Sequence, residues 1–185
     1  DWGLQRQDLG PVMMCGLLGL AFGSLTAGPL ADRFGRRPVI IGSVLLFGLW
    51  SLASAWATGV VSLTVLRFLT GVGLGASMPN TATLISEFAP KRYRSHMVSF
   101  VYCGFAFGAA LGGLGSEWLI EHFGWRSVLV VGGVLPIAFA LLLLFSLPES
   151  IRFLAQNSAL KERLIKEINR VAPGLANART RFLSS

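Results

Sequence analysis

The ten residues GPLADRFGRR, positions 28–37, put one acid, three arginines and two glycines between two long apolar runs. The composition around them explains why that matters. Hydrophobic residues make up 53% of the 185-residue chain and charged residues 14%, with a mean hydropathy of +0.63; ordinary soluble domains carry roughly a quarter charged residues. Segments 9–30, 39–57, 60–85, 97–116 and 128–147 are each apolar over about the 20 residues a helix needs to cross a hydrocarbon core. Five membrane spans are predicted, and the charged decapeptide closes the first and opens onto the second.

The net charge of +7 would suggest nucleic-acid binding in a soluble protein. Its placement argues otherwise. Arg33, Arg36 and Arg37 lie between spans one and two, Lys91, Arg92 and Arg94 between three and four, and Arg152 onward after five; the intervening loops hold only Arg6 and Arg126. The positive-inside rule accounts for this alternation without nucleic acid. It places the basic connectors and residue 185 in the cytoplasm and residue 1 outside. A soluble enzyme or nucleic-acid binder is excluded by the five spans.

The opening DWGLQRQD carries two acids and no basic leader, so the first span is not a cleaved signal. An odd number of spans, an opening inside a connector and an end at RFLSS predict a piece of a longer membrane protein. Residues 1–148 form the predicted transmembrane bundle. Residues 149–185 form a cytoplasmic linker with one short amphipathic helix, its stripe Leu160, Leu164, Ile165 and Ile168 and its N-cap Ser158.

Short connectors make consecutive spans antiparallel neighbours. Three small-residue stripes mark faces where helix backbones are expected to touch: Gly19, Gly23 and Ala27; Gly71 and Gly75; Gly104, Gly108 and Gly112. Pro79 and Pro136 fall mid-span, as packing kinks or as hinges. Cys15 and Cys103 read as small apolar span residues. No metal cluster, phosphate loop or nucleophilic triad survives this topology, and no cofactor is expected.

Arg67 is the one charged side chain well inside a predicted span, about 10 Å from the outer helix end at the standard rise. An arginine at a span centre costs about 2.5–3.5 kcal/mol. It either attracts a carboxylate substrate or takes part in coupling, or it snorkels or bonds a neighbouring carbonyl. Asn80 is a second binding candidate, although helical spacing turns it away from Arg67 unless Pro79 bends the helix. Tyr102 either stacks on an aromatic ligand or packs. With no acid deep inside a span, the carboxylate that would carry a coupling proton is expected elsewhere.

The decapeptide resembles the signature of the major facilitator superfamily: Gly28, Asp32, Arg33, Gly35, Arg36 and Arg37 all match it. LRFLTGVGLGA, with Arg67, resembles the fourth-helix motif of that family, and Glu87 and Arg94 have its E-x6-R spacing. LPESIRFL resembles the PESPR stretch after its sixth helix, with Ile151 in place of the second proline. Longer stretches, among them SMPNTATLISEFAP and FGWRSVLVVGGVLP, are similar to the bacterial aromatic acid/proton symporters.

The resemblance implies an all-α major facilitator bundle, with the five spans as helices two to six of twelve and the first helix and the C-terminal half absent. It further implies proton-coupled import of aromatic carboxylates such as 4-hydroxybenzoate across the bacterial inner membrane by alternating access, with protons, substrate and lipid as partners and no enzymatic activity. Asp32 and the arginines would latch the cytoplasmic side with Glu87, Arg94, Glu149 and Arg152. The coupling acid is expected in the first helix. The rivals are a facilitator for a sugar or another organic anion, and a non-transporting membrane sensor.

Overall fold

The computed structural model describes residues 6–150 and 153, with side chains placed from Gly10. Five helices follow one another: α1 (Arg6–Phe34), α2 (Arg36–Ser54), α3 (Val60–Phe88), α4 (Arg94–Phe123) and α5 (Trp125–Ser146). Each is long and apolar enough to cross a membrane, and no strand occurs among the described residues. The amphipathic helix expected within 149–185 lies outside the described residues.

The helices run past the hydrocarbon limits drawn from hydropathy, because their polar ends keep satisfying backbone groups by helical hydrogen bonds. The charged connector therefore shrinks to one residue. Arg33 sits in the last turn of α1, Arg36 and Arg37 open α2, and Gly35 alone turns the chain at φ 97°. Gly124 turns α4 into α5 in the same way at φ 79°. Side-chain-bearing residues rarely adopt this conformation. Pro79 and Pro136 remain inside continuous helices.

Core packing rests on glycine. A Cβ at Gly19 or Gly23 would collide with the carbonyls of Phe68 or Val72, and one at Gly71 or Gly75 with those of Gly16 or Leu20. Two expected stripes thus meet each other, and α1 and α3 touch backbone to backbone. Gly73 presses α3 onto α2 at Ser43 and Phe47, while Gly48 and Gly133 join α2 to α5. Ala27 completes the α1 seam at 1% exposure.

The third stripe departs from expectation. Added Cβ atoms at Gly104, Gly108 and Gly112 meet nothing within 4 Å, and α4 has no buried residue. It touches α3 and α5 only sparsely. Among the described residues, that face has no helix against it.

An internal repeat underlies the difference. Gly19, Gly23, Phe34, Gly35 and Arg37 recur at identical spacing as Gly108, Gly112, Phe123, Gly124 and Arg126. The units α1–Gly35–α2 and α4–Gly124–α5 are two copies of one motif that turn at opposite ends of the bundle, an inverted repeat. In the first copy the glycine face holds α3. In the second the equivalent face is bare.

Candidate functional site

The ends of α2, α3 and α5 converge on two carboxylates. Glu149, just after α5, sits over the start of α2, where its Oε1 accepts the backbone N–H groups of Arg36 at 3.0 Å and Arg37 at 3.1 Å. The first N–H groups of a helix have no partner within it, and the helix dipole there is positive. A carboxylate answers both needs. Gly35 makes the approach possible, since a Cβ at this position would lie 2.9 Å from Glu149 Oε2.

Glu87, in the last turn of α3, is the second carboxylate. Its Oε1 lies 3.2 Å from Nη1 of Arg36, with the two side chains 8% and 14% exposed. Its Oε2 accepts a 2.7 Å hydrogen bond from the Ser150 hydroxyl. Ser150 also gives its backbone N–H to Glu149 Oε1 at 2.9 Å. The result is a closed ring in which Arg36 and Ser150 each donate a backbone N–H to Glu149 and present a side chain to Glu87. Arg37 adds a tie by donating from its guanidinium to the carbonyl of Leu144 in the last turn of α5, where a cation complements the dipole.

Of the residues expected to form a latch, Gly35, Arg36, Arg37, Glu87 and Glu149 come together. Gly28, Asp32, Arg33 and Arg94 do not; all four are exposed, and none of the three charged side chains has an ion pair among the described residues. The reason is helical phase. The buried stripe of α1 runs through Gly23, Ala27 and Ala31, and Gly28 and Asp32 each lie one residue further on, about 100° round the helix. Arg33 instead rests over the Phe34 ring at 5.6 Å. Arg152 lies outside the described residues.

Ser150 is the member that sequence reasoning missed. It is fully buried, and its Oγ accepts the backbone N–H of Phe153 at 3.2 Å. A serine that accepts an N–H three residues on is an N-cap pattern. That signal was legible in PESIRF.

The intramembrane candidates separate. Arg67 is half-buried on α3, with no ion pair or hydrogen bond to its side chain among the described residues. Asn80 is 4% exposed and its amide is committed, donating to the carbonyls of Ala76 at 2.9 Å and Ala27 at 3.4 Å, so it ties α3 to α1. Tyr102 is 49% exposed on α4. Counted from the connector that α3 and α4 share, Arg67 lies about 30 Å along its helix and Tyr102 about 12 Å along its own. One small ligand does not span that gap. Because α4 runs on to Phe123, Glu117 also lies within a helix, about 9 Å from the end and close to the depth of Arg67. No group of three metal-ligating side chains assembles among the described residues.

Comparison with known proteins gives a consistent result. The chain is 53% identical over 173 residues to the 4-hydroxybenzoate transporter PcaK of Pseudomonas putida, with 94% of this chain and 39% of that protein covered. It is 50% identical to the gallate transporter of the same organism, covering all of this chain and 41% of the relative. The chain spans about two-fifths of the length of these relatives. In fold it is similar to the inward-open xylose transporter XylE from E. coli, at a TM-score of 0.79 and 23% identity, covering 94% of this chain and 44% of the other. The family model described as Major Facilitator Superfamily matches residues 1–182, over the charged turn, the glycine seams and the carboxylate ring alike, and the chain belongs to that superfamily.

Proposed function

We propose that the whole protein is a secondary transporter that imports aromatic carboxylates together with protons by alternating access, and that this chain contributes most of one helical half. The observation that carries the reading is the high identity, along nearly all of the chain, to proteins named as 4-hydroxybenzoate and gallate transporters. Both names specify a hydroxylated benzoic acid, an anion at neutral pH. Arg67 supplies a fitting charge: a guanidinium with no partner among the described residues, kept in an apolar helix at a cost of a few kcal/mol, is a candidate functional residue.

In this reading the basic helix ends face the cytoplasm of a bacterial inner membrane, as the alternation of charged connectors favours. Residue 1 lies outside and residue 185 inside, and the segment 149–185 links the halves. The carboxylate ring keeps the cytoplasmic ends of α2, α3 and α5 together while Asp32 and Arg94, exposed here, face the other half. A helix preceding α1 fills the bare glycine face of α4, as α3 fills that of α1. Arg67 acts on the substrate carboxylate or its coupling, Tyr102 meets the aromatic ring at another stage of the passage, and Asn80 holds α1 to α3.

Uptake of labelled 4-hydroxybenzoate by cells expressing the full-length protein tests this, with and without a protonophore and beside an Arg67→Ala variant of equal membrane abundance. Uptake is expected to collapse with the protonophore and to fall at least about tenfold in the variant, the loss of one charge-assisted contact. Uptake indifferent to both would overturn proton coupling and the role of Arg67.

A further inference from the structure

We propose that Ser150 is a positioning residue: its hydroxyl aims the Glu87 carboxylate at Arg36, so that the ends of α2, α3 and α5 move as one block during transport. The inference rests on the transport reading above and adds a residue to it. Its geometry is specific. Although Glu87 Oε1 and Arg36 Nη1 lie 3.2 Å apart, neither atom has an aligned hydrogen bond among the described residues. Charge attraction falls off slowly with angle and does little to fix orientation. The hydrogen bond from Ser150 Oγ at 2.7 Å is the directional contact of this carboxylate.

The direction of that bond is set by the rest of the ring. A serine hydroxyl has one proton and two lone pairs. Since the Phe153 N–H points to Ser150 Oγ, one lone pair is occupied and the proton is free to point at Glu87. The backbone of Ser150 is itself held by Glu149, which in turn holds the start of α2. A displacement of α5 is thereby passed to the end of α3 through one side chain. Without the hydroxyl, Glu87 keeps, among the described residues, only the misaligned charge contact, in a site where its side chain is 8% exposed.

The test uses the full-length protein carrying Ser150→Ala, Glu87→Met and both, with two readouts: the thermal midpoint of the purified protein, and initial uptake of 4-hydroxybenzoate at matched membrane abundance. If Ser150 acts through Glu87, the double variant is no worse than Glu87→Met alone in either readout, because methionine keeps the length of the side chain and offers the hydroxyl no oxygen acceptor. Ser150→Ala then lowers the maximal rate at least about tenfold, the loss expected for one hydrogen bond to a charged group, with KM within about twofold. Ser150→Thr, which keeps the donor, restores rate and midpoint above those of the equal-sized Ser150→Val.

Additive effects, an unchanged Ser150→Ala protein, or equal Thr and Val variants would overturn the proposal. If Ser150→Ala fails to reach the membrane, the Thr and Val pair decides. Should the parent take up no 4-hydroxybenzoate, the transport reading fails, and the thermal cycle still decides whether Ser150 acts through Glu87.

Discussion

Replacing Gly75 by alanine adds one methyl group, and the structure states where it would go. The new Cβ lands on the carbonyl oxygen of Leu20, with the carbonyl carbon at 2.8 Å and Cα at 2.9 Å. All three are backbone atoms of α1, so no side-chain rotation relieves the clash. The helices must separate by about 1 Å to restore ordinary contact, and a gap of that size forfeits a quarter to a half of each dispersion well along the seam. Gly19, Gly23 and Gly71 share the seam and lose contact with it. Alanine returns up to about 1 kcal/mol of helix propensity, against an overpacking cost of about 1–3 kcal/mol or more. The net expectation is about 1–2 kcal/mol of destabilisation, read as a lower thermal midpoint of the purified full-length protein. Gly42→Ala is the control, because its Cβ meets nothing within 4 Å; it should be neutral or slightly stabilising. A Gly75→Ala protein as stable as Gly42→Ala would refute the backbone-to-backbone seam.

Other consequences separate cleanly. Gly35→Ala should cost about 1–3 kcal/mol from its φ of 97° together with its contact to Glu149, whereas Gly124→Ala has open space and should bear only the conformational share; midpoints of the two variants measure the difference. Glu149→Ala strips one acceptor from three N–H groups and should lower the midpoint by about 2 kcal/mol equivalent, while Asp32→Asn, exposed and unpaired among the described residues, should leave it within about 0.5 kcal/mol and impair uptake. Gly108→Leu in the full-length protein should destabilise it as Gly19→Leu does, if a preceding helix seats on α4; a neutral result contradicts the repeat-based placement.

The helical architecture was legible because hydropathy and charge alternation are long-range signals that need no packing detail. All five spans appear, with ends displaced where polar turns extend a helix, as at the Arg94 start of α4 and its Glu117–Phe123 finish. The glycine seams of α1 and α3 were legible for the same reason, since small residues four apart define one face. Membership of a cluster was harder to read. Asp32 and Arg36 lie four residues apart in one motif, yet the positive φ of Gly35 rotates one outward and the other into the ring. A pattern of charges carries no phase. The stripe in α4 shows the converse: its small residues recur at the same helical spacing, yet the contact they were expected to mark is not made among the described residues, because spacing identifies a face and not what lies against it. Ser150 escaped because charged neighbours drew attention from a hydroxyl that makes the shortest contact to Glu87.

Proton-coupled entry of an aromatic carboxylate is the reaction proposed for the whole protein. The most direct measurement places the purified full-length protein in liposomes containing a pH-sensitive dye and adds substrate outside without a membrane potential. Inward symport predicts that 4-hydroxybenzoate acidifies the lumen at a saturable rate, that Arg67→Ala abolishes most of the signal, and that xylose gives none. Acidification by xylose, or substrate entry with no change in lumenal pH, would contradict the account.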